Sequence, residues 1–329
     1  MSAQKGRSTG KSGTLGSVLK IGVTVAAVAL LLRQVDERTM AEALASSRPG
    51  PVLAAVLLYL VGQSITAWRW QIIARAVGFR ETLGRVVAWY YIGMFFNLFG
   101  PSTVGGDVVR SLYLGAPTSK RALALNTVIF DRLSGLTMLV IVAIVAFAAF
   151  GTFGLPMPLV WLTVAVGAGL AGGWWIVPAV VKRVLPESNR FRKLVELDLR
   201  PFWDDVSLLL ATSAVSLFFH VVQIGAAFLV GQAVGLEVPW QYYFIFHPLV
   251  SIFSALPISL AGLGIREVGY VWFLSTGAGV TQEHAAAFAV LWFAVLLASS
   301  LAGGLVFLAE GAEVPALRST RTAQPEPEP

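Results

Sequence analysis

Cysteine is absent from the 329 residues, so disulfides and thiolate metal sites are excluded and thiols say nothing of the redox compartment. Charge is scarce: Asp, Glu, Lys and Arg make up 13% of the chain, and only three histidines occur. His220, His247 and His284 lack the spacing of a metal cluster. Long polar stretches are missing too. The longest one between apolar runs extends from Lys182 to about Asp205, too short to build a core of its own. That leaves no room for a sizeable soluble enzyme domain.

What the chain has is hydrocarbon. Hydrophobic residues reach 56% and mean hydropathy +0.74, with apolar runs well beyond the roughly 20 residues of a helical span. The class is an all-α polytopic membrane protein. The formal charge of +6 comes from clustered Lys and Arg. On such a chain these clusters report topology and anionic lipid rather than nucleic acid.

In chain order, residues 1–14 form a basic, Gly/Ser-rich tail expected to be disordered. Its GRSTGKS (Gly6 to Ser12) is one residue short of a phosphate-binding loop and follows no strand, so it reads as a basic tail. Full spans are expected at Leu15–Leu32, Pro51–Val77, about Ala122–Phe150, Leu159–Val181, Val206–Val234 and Ala285–Leu308. The first is basic-flanked without a small-residue cleavage site, so it reads as an anchor. A single transmembrane domain thus covers 15–310, and a Pro/Glu tail at 311–329 is expected to be disordered.

Two apolar segments are interrupted. In 89–114 the run stops at Asn97 and Gly100-Pro101, then Ser102, Gly105-Gly106, Asp107 and Arg110 follow. Proline fixes φ and lacks a donor, and glycine accepts φ > 0, so the helix breaks there. Backbone broken at membrane depth must be enclosed by protein or line a wet cavity. Charge decides how this segment sits. If it turns back rather than crossing, Arg75, Arg80, Arg85, Lys120, Arg121, the 182–200 loop, Arg318 and Arg321 share one side. Only Arg33, Arg38 and Arg48 then lie opposite. The positive-inside rule favours this arrangement, with both termini cytoplasmic in an inner membrane of bacterial type.

The second interruption, Pro257 to Glu267, repeats the order: proline, Ser259, the glycines Gly262 and Gly264, then Arg266 and Glu267. The expected architecture is six full spans plus two re-entrant helical hairpins, at about 86–116 and 240–277, entering from opposite faces as an inverted repeat.

These pieces, together with Asp131-Arg132-Leu133-Ser134-Gly135, resemble the transmembrane region of lysylphosphatidylglycerol synthases and its stand-alone, flippase-like relatives. The likeness covers about 15–310. It implies a lipid-handling bundle, with candidate lipids of aminoacyl-phosphatidylglycerol, polyprenyl-linked or glycolipid type. The fused synthases carry a soluble aminoacyl-transferase domain after the bundle, whereas this chain ends at Pro329, so aminoacyl transfer is not expected.

Four arginines stand inside apparent membrane segments: Arg69, Arg110, Arg132 and Arg266. Two readings compete. Asp107, Asp131 and Glu267 can simply neutralise neighbouring arginines and hold the breaks in place. Alternatively, half-helices beginning near Gly106 and Gly264 offer free amides, and Arg110 and Arg266 hold a lipid phosphate. Asp107 can also serve as an N-cap. Ser102 and Ser259 have no base at motif spacing and read as backbone support. Trp68-Arg69-Trp70 reads as an interfacial anchor, and His247 as a packing residue. No cofactor or metal is called for. The expected partners are a lipid with a phosphate head group, anionic lipid at the basic loops, and a separate synthase or glycosyltransferase. A transporter is favoured over a membrane enzyme or accessory subunit.

Overall fold

A computed structural model describes residues 21–27, 29, 33, 35–100, 104–117, 120–189, 192, 204–256 and 258–315. Among these there is helix and no strand. A short helix, α1 (Glu37–Ala45), precedes α2 (Pro49–Ala76), α3 (Leu83–Phe99) and α4 (Gly105–Gly115). Then follow α5 (Arg121–Phe150), α6 (Met157–Val184), α7 (Val206–Val234), α8 (Trp240–Ala255), α9 (Ile265–Ala278) and α10 (Gln282–Ala309). The helices α2, α5, α6, α7 and α10 are long and apolar enough to cross a membrane. They correspond to five of the six expected spans. The sixth, Leu15–Leu32, falls largely outside the described residues, of which 21–27 are helical. The expected tail at 1–14 and most of that expected at 311–329, from 316 on, also lie outside them, whereas 311–315 are described.

The helices α3, α4, α8 and α9 have 17, 11, 16 and 14 residues. At 1.5 Å per residue these reach about 16–26 Å, short of a hydrocarbon core of about 30 Å. Each pair doubles back. Asn97 meets Gly106, Gly93 packs against Arg110, and Trp89 stacks on Tyr113 at 5.9 Å, so α3 and α4 run antiparallel. In the second pair the Tyr242 hydroxyl donates to the Phe273 carbonyl at 2.6 Å, His247 meets Tyr270 at 3.0 Å, and Ser254 lies against Gly262.

The mouths of the two hairpins face opposite ends of the bundle. Gly115, at the end of α4, lies against Arg121 and Ala124 at the start of α5. Phe150, at the other end of α5, meets Trp240 at the start of α8 edge-on (ring centres 5.5 Å apart). At the first mouth the Tyr113 hydroxyl also donates to the Glu313 carbonyl at 2.8 Å. Arg85 and Ala116-Pro117 therefore sit at one end with the close of α10.

Around this frame the packing is two-fold. The spans α2 and α7 run antiparallel, with Arg48 against Ala233, Gly62 against Gln223 and Arg69 against Ser216. The arm α3 packs on α10 and α4 on α5; correspondingly α8 packs on α5 and α9 on α10. Two glycines permit the first of these contacts. A Cβ on Gly303 would collide with the Tyr91 carbonyl, and one on Gly304 would lie 2.9 Å from the Phe95 ring. By contrast, a Cβ on Gly169 or Gly173 would meet only open space.

Packing is uneven between the halves. Tyr242, Tyr243, Phe246, Tyr270, Phe288 and Trp292 form a large aromatic core about the second hairpin. Trp70, Trp89, Ile92 and Leu114 form a smaller one beneath the first. Outward-facing Leu53, Leu57, Val145, Trp161 and Leu305 are more than half exposed, as lipid-facing side chains must be.

Before α2, the surface helix α1 is capped by Asp36, whose Oδ1 accepts from the Thr39 amide at 2.8 Å. That bond holds the Asp36 carboxyl below its ordinary 3.8. A folded-state value below the unfolded one contributes stability at higher pH and loses it as pH falls. Protection of the Thr39 amide from hydrogen exchange is therefore expected to drop as the pH falls through and below 3.8. Asp36→Ala should show the low protection at every pH.

Candidate functional site

The first hairpin carries its charges on the buried side of α4. Asp107 and Arg110, three residues apart, share a helical face and are 5% and 3% exposed. Asp107 is the third residue of α4 rather than its cap, which is Val104. Asn97, at the end of α3, does part of the capping: its Oδ1 accepts from the Gly106 amide at 3.0 Å. The Gly106 amide is thus occupied from within the hairpin.

Asp131, on α5, is the hub. Its Oδ1 takes Arg69 Nε at 2.9 Å and its Oδ2 takes Arg110 Nη2 at 3.1 Å, all three side chains being buried. Arg69 is further fixed by its Nη2 to the Asp131 carbonyl (2.9 Å) and its Nη1 to Ser216 Oγ on α7 (2.7 Å). The neighbouring Arg132 takes no part in this. It reaches Asp107 instead, Nε to Oδ2 at 2.8 Å, and stays 51% exposed. Successive residues on a helix point about 100° apart, so adjacent Asp131 and Arg132 serve different neighbours. Asp107 completes the chain by pairing with Arg110 Nε at 3.3 Å.

Arg110 lies between two aromatic faces, its guanidinium carbon 4.8 Å from the Trp70 ring centre and 4.6 Å from that of Tyr90. These cation–π contacts stabilise a desolvated charge. Its Nη1 nonetheless has no hydrogen-bond partner among the described residues. Three guanidinium groups against two carboxylates leave the cluster with one positive charge. The DRLSG run is explained by the same geometry. A Cβ on Gly135 would press on the Arg69 guanidinium at 3.0 Å, and the Gly135 carbonyl meets His220 Nε2 at 3.0 Å.

Arg69 is the member of this cluster that the sequence reading placed elsewhere, at the membrane interface. Of the expected interfacial triplet only Trp68 is exposed, at 46%; Arg69 and Trp70 are buried. The available signal was a polar stripe in an apolar span: Gln63, Thr66 and Arg69 recur at three-residue spacing and all are buried.

At the second hairpin, Gly262 and Gly264 have φ of +76° and +83°, a region that only glycine enters at little cost. This turn lets α9 start deep in the bundle. Glu267 folds back so that its Oε2 accepts from the Gly264 amide (2.6 Å), while its Oε1 takes Arg266 Nε and Nη2 at 2.9 and 2.6 Å. The carboxylate thus fills the helix terminus and neutralises the arginine, which lies over Phe293. Ser259 is fully buried, its Oγ without a hydrogen-bond partner among the described residues. Ser102 lies outside the described residues. His247 packs between Tyr270 and Trp292, as expected of a packing residue. No hydrogen bond or ion pair among the described residues joins the clusters of the two hairpins.

One open pocket covers the first mouth and another lies beside the start of α8. The first, of about 420 Å³, is lined by Arg85, Trp89, Tyr113 and Glu310. The other, of about 520 Å³, is lined by Arg48, Gln232, Glu237 and Trp240. The first end also collects exposed Arg75, Arg80, Arg85, Lys120, Arg121, Lys182 and Arg183.

Paired, opposed hairpins inside a bundle of long helices define an integral membrane protein of polytopic helical type. The sequence matches the family described as Lysylphosphatidylglycerol synthase TM region over residues 17–304, and the chain belongs to that family. It is 26% identical over 329 aligned residues to a protein named glycosyltransferase AglD from Haloferax volcanii, covering 86% of this chain and 52% of that protein. The chain thus matches about half the length of that relative. It is also 26% identical over 306 residues to a UPF0104 membrane protein from Methanothermobacter thermautotrophicus, covering 84% of this chain and 89% of the relative.

Proposed function

We propose that this protein binds a phosphate-bearing lipid through its hairpin arginines and moves the head group between leaflets while the acyl chains stay in the bilayer. The observation that carries the reading is the pair of hairpins opening toward opposite ends, each carrying a buried arginine, Arg110 midway along α4 and Arg266 at the start of α9. Stability alone gives little reason to keep such charges, since apolar side chains of equal volume are commonly as stable or more so. The extra positive charge of the first cluster and the free Nη1 of Arg110 suit an anion. Pockets at the first mouth and, at the other end, beside the start of α8 give a head group somewhere to wait on either side. The internal pairing of Glu267 with Arg266 makes the first hairpin the better phosphate site, with the second closed off in this conformation.

In the same reading the end carrying Arg75 to Arg121 faces the cytoplasm and its exposed basic residues meet anionic lipid. The lipid is of aminoacyl-phosphatidylglycerol, polyprenyl-linked or glycolipid type. The test is reconstitution in vesicles with head-group-labelled phospholipids and a membrane-impermeant quencher. Wild-type protein is expected to raise the quenchable fraction, and Arg110→Gln to return it to the protein-free rate. Equal rates for wild-type and empty vesicles across these lipid types would overturn the reading.

A second reading is favoured by one observation, the glycosyltransferase name of a relative about twice as long. Here the bundle acts as the membrane half of an enzyme, or of its partner, on a lipid-linked substrate. Chemical change of a lipid in a deletion strain, with unaltered leaflet distribution, would select it.

A further inference from the structure

Along the seam between α4 and α5 the described residues set a guanidinium among exposed apolar side chains. Arg132 is 51% exposed. Around it Val104, Val108, Ile129 and Leu133 are each between 44% and 49% exposed. At 30 residues α5 is about 45 Å long, the full thickness of a bilayer with its head groups. Arg132 stands 11 residues along it, about 16 Å from its start and beyond a head-group layer of roughly 6 Å. A charge facing hydrocarbon at that depth is costly and marks a polar path by default.

The path continues inward as alternating charge. Arg132 binds Asp107, Asp107 pairs with Arg110, Arg110 with Asp131, and Asp131 with Arg69. The outermost member is a cation open on its lipid side, so the next member in the series would be an anion arriving from the bilayer. Deeper in, Arg110 Nη1 is buried without a hydrogen-bond partner among the described residues, ready for a second contact.

We propose that the α4–α5 seam is a lateral port for a phosphate-bearing lipid, with Arg132 the first residue to take the phosphate. This rests on the transport reading above and adds the route. Charge-assisted hydrogen bonds donated by Arg132 to the phosphate oxygens displace Asp107, which then pairs with Arg110 alone. The acyl chains remain along Val104, Val108, Ile129 and Leu133, outside the bundle. The apolar flanks select a lipid over free phosphate, because they offer a soluble anion nothing but desolvation.

The test uses the full chain, with phosphatidylglycerol as probe, diacylglycerol as its phosphate-free counterpart, and native mass spectrometry to read retained lipid. Arg132→Gln is expected to lower phosphatidylglycerol retention at least tenfold, and Arg132→Lys to keep most of it. Ile129→Trp, a change on a lipid-facing surface, should narrow the seam and cut retention several-fold. Leu305→Trp, on the more exposed outer face of α10, should not. Wild-type retention in both Arg132→Gln and Ile129→Trp would overturn the port, as would equal loss of diacylglycerol or competition by inorganic phosphate at lipid concentrations. Translocation is read in parallel. Retention that depends on Arg132 without any translocation supports the port and removes the transport reading. Unchanged retention in both variants with transport intact removes the port alone.

Discussion

Asp131→Ala is expected to produce the largest loss in the molecule, about 3–5 kcal/mol of stability, the usual cost of stripping one partner from a buried pair. Here the carboxylate serves two buried guanidinium groups, Arg69 and Arg110, and its removal leaves Arg69 with no carboxylate at all. The measurement is thermal unfolding of the purified protein, followed by its elution as a single species after heating. Asp131→Asn should lose less, because the amide oxygen can still accept from Arg69 Nε. The double change Arg69→Met, Asp131→Leu should recover part of the alanine loss, since Arg110 keeps Asp107. Translocation should stay low in that double variant. If the single alanine variant melted like wild type, the three-way pairing would not be holding the bundle together.

The second large effect concerns neighbouring glycines that sequence treats alike. A Cβ on Gly106 would run into the Gly93 carbonyl and the Asn97 side chain, so Gly106→Ala must push α3 and α4 apart. Overpacking against backbone costs about 1–3 kcal/mol. It would also break the Asn97 cap and shift Asp107 off Arg110 and Arg132. A tenfold or greater fall in translocation, alongside a lower melting temperature, is expected. Gly105→Ala meets only the Phe96 carbonyl at 3.4 Å, an ordinary contact. It should be neutral or slightly stabilising, alanine being the better helix former by about 1 kcal/mol. Equal melting of the two variants would contradict the close approach of the hairpin arms.

Much of the architecture was legible beforehand, and for a physical reason. A bilayer forces long unbroken apolar runs into helices, so α2, α5, α6, α7 and α10 could be placed from hydropathy. The breaks at Gly100 and at Gly262–Gly264 were equally plain, because glycine and proline interrupt a helix through backbone geometry alone. The opposite entry of the hairpins followed from the clustering of Lys and Arg, and the mouths do lie at opposite ends of α5.

The wiring of the charges was another matter. From sequence, Asp131 belongs beside Arg132; in the folded protein it belongs to Arg69, 62 residues away, and to Arg110. Nor could spacing show that Asn97 and Glu267 occupy the glycine amides, or that Arg69 is interior while Trp68 is not. Chain composition determined that helices form, where they stop and which ends are basic, because those follow from local backbone chemistry and transfer to lipid. Which arginine meets which carboxylate, and which one is left half exposed, depends on how helices distant in sequence rotate against each other. That was decided only when α2, α4, α5 and α7 came together.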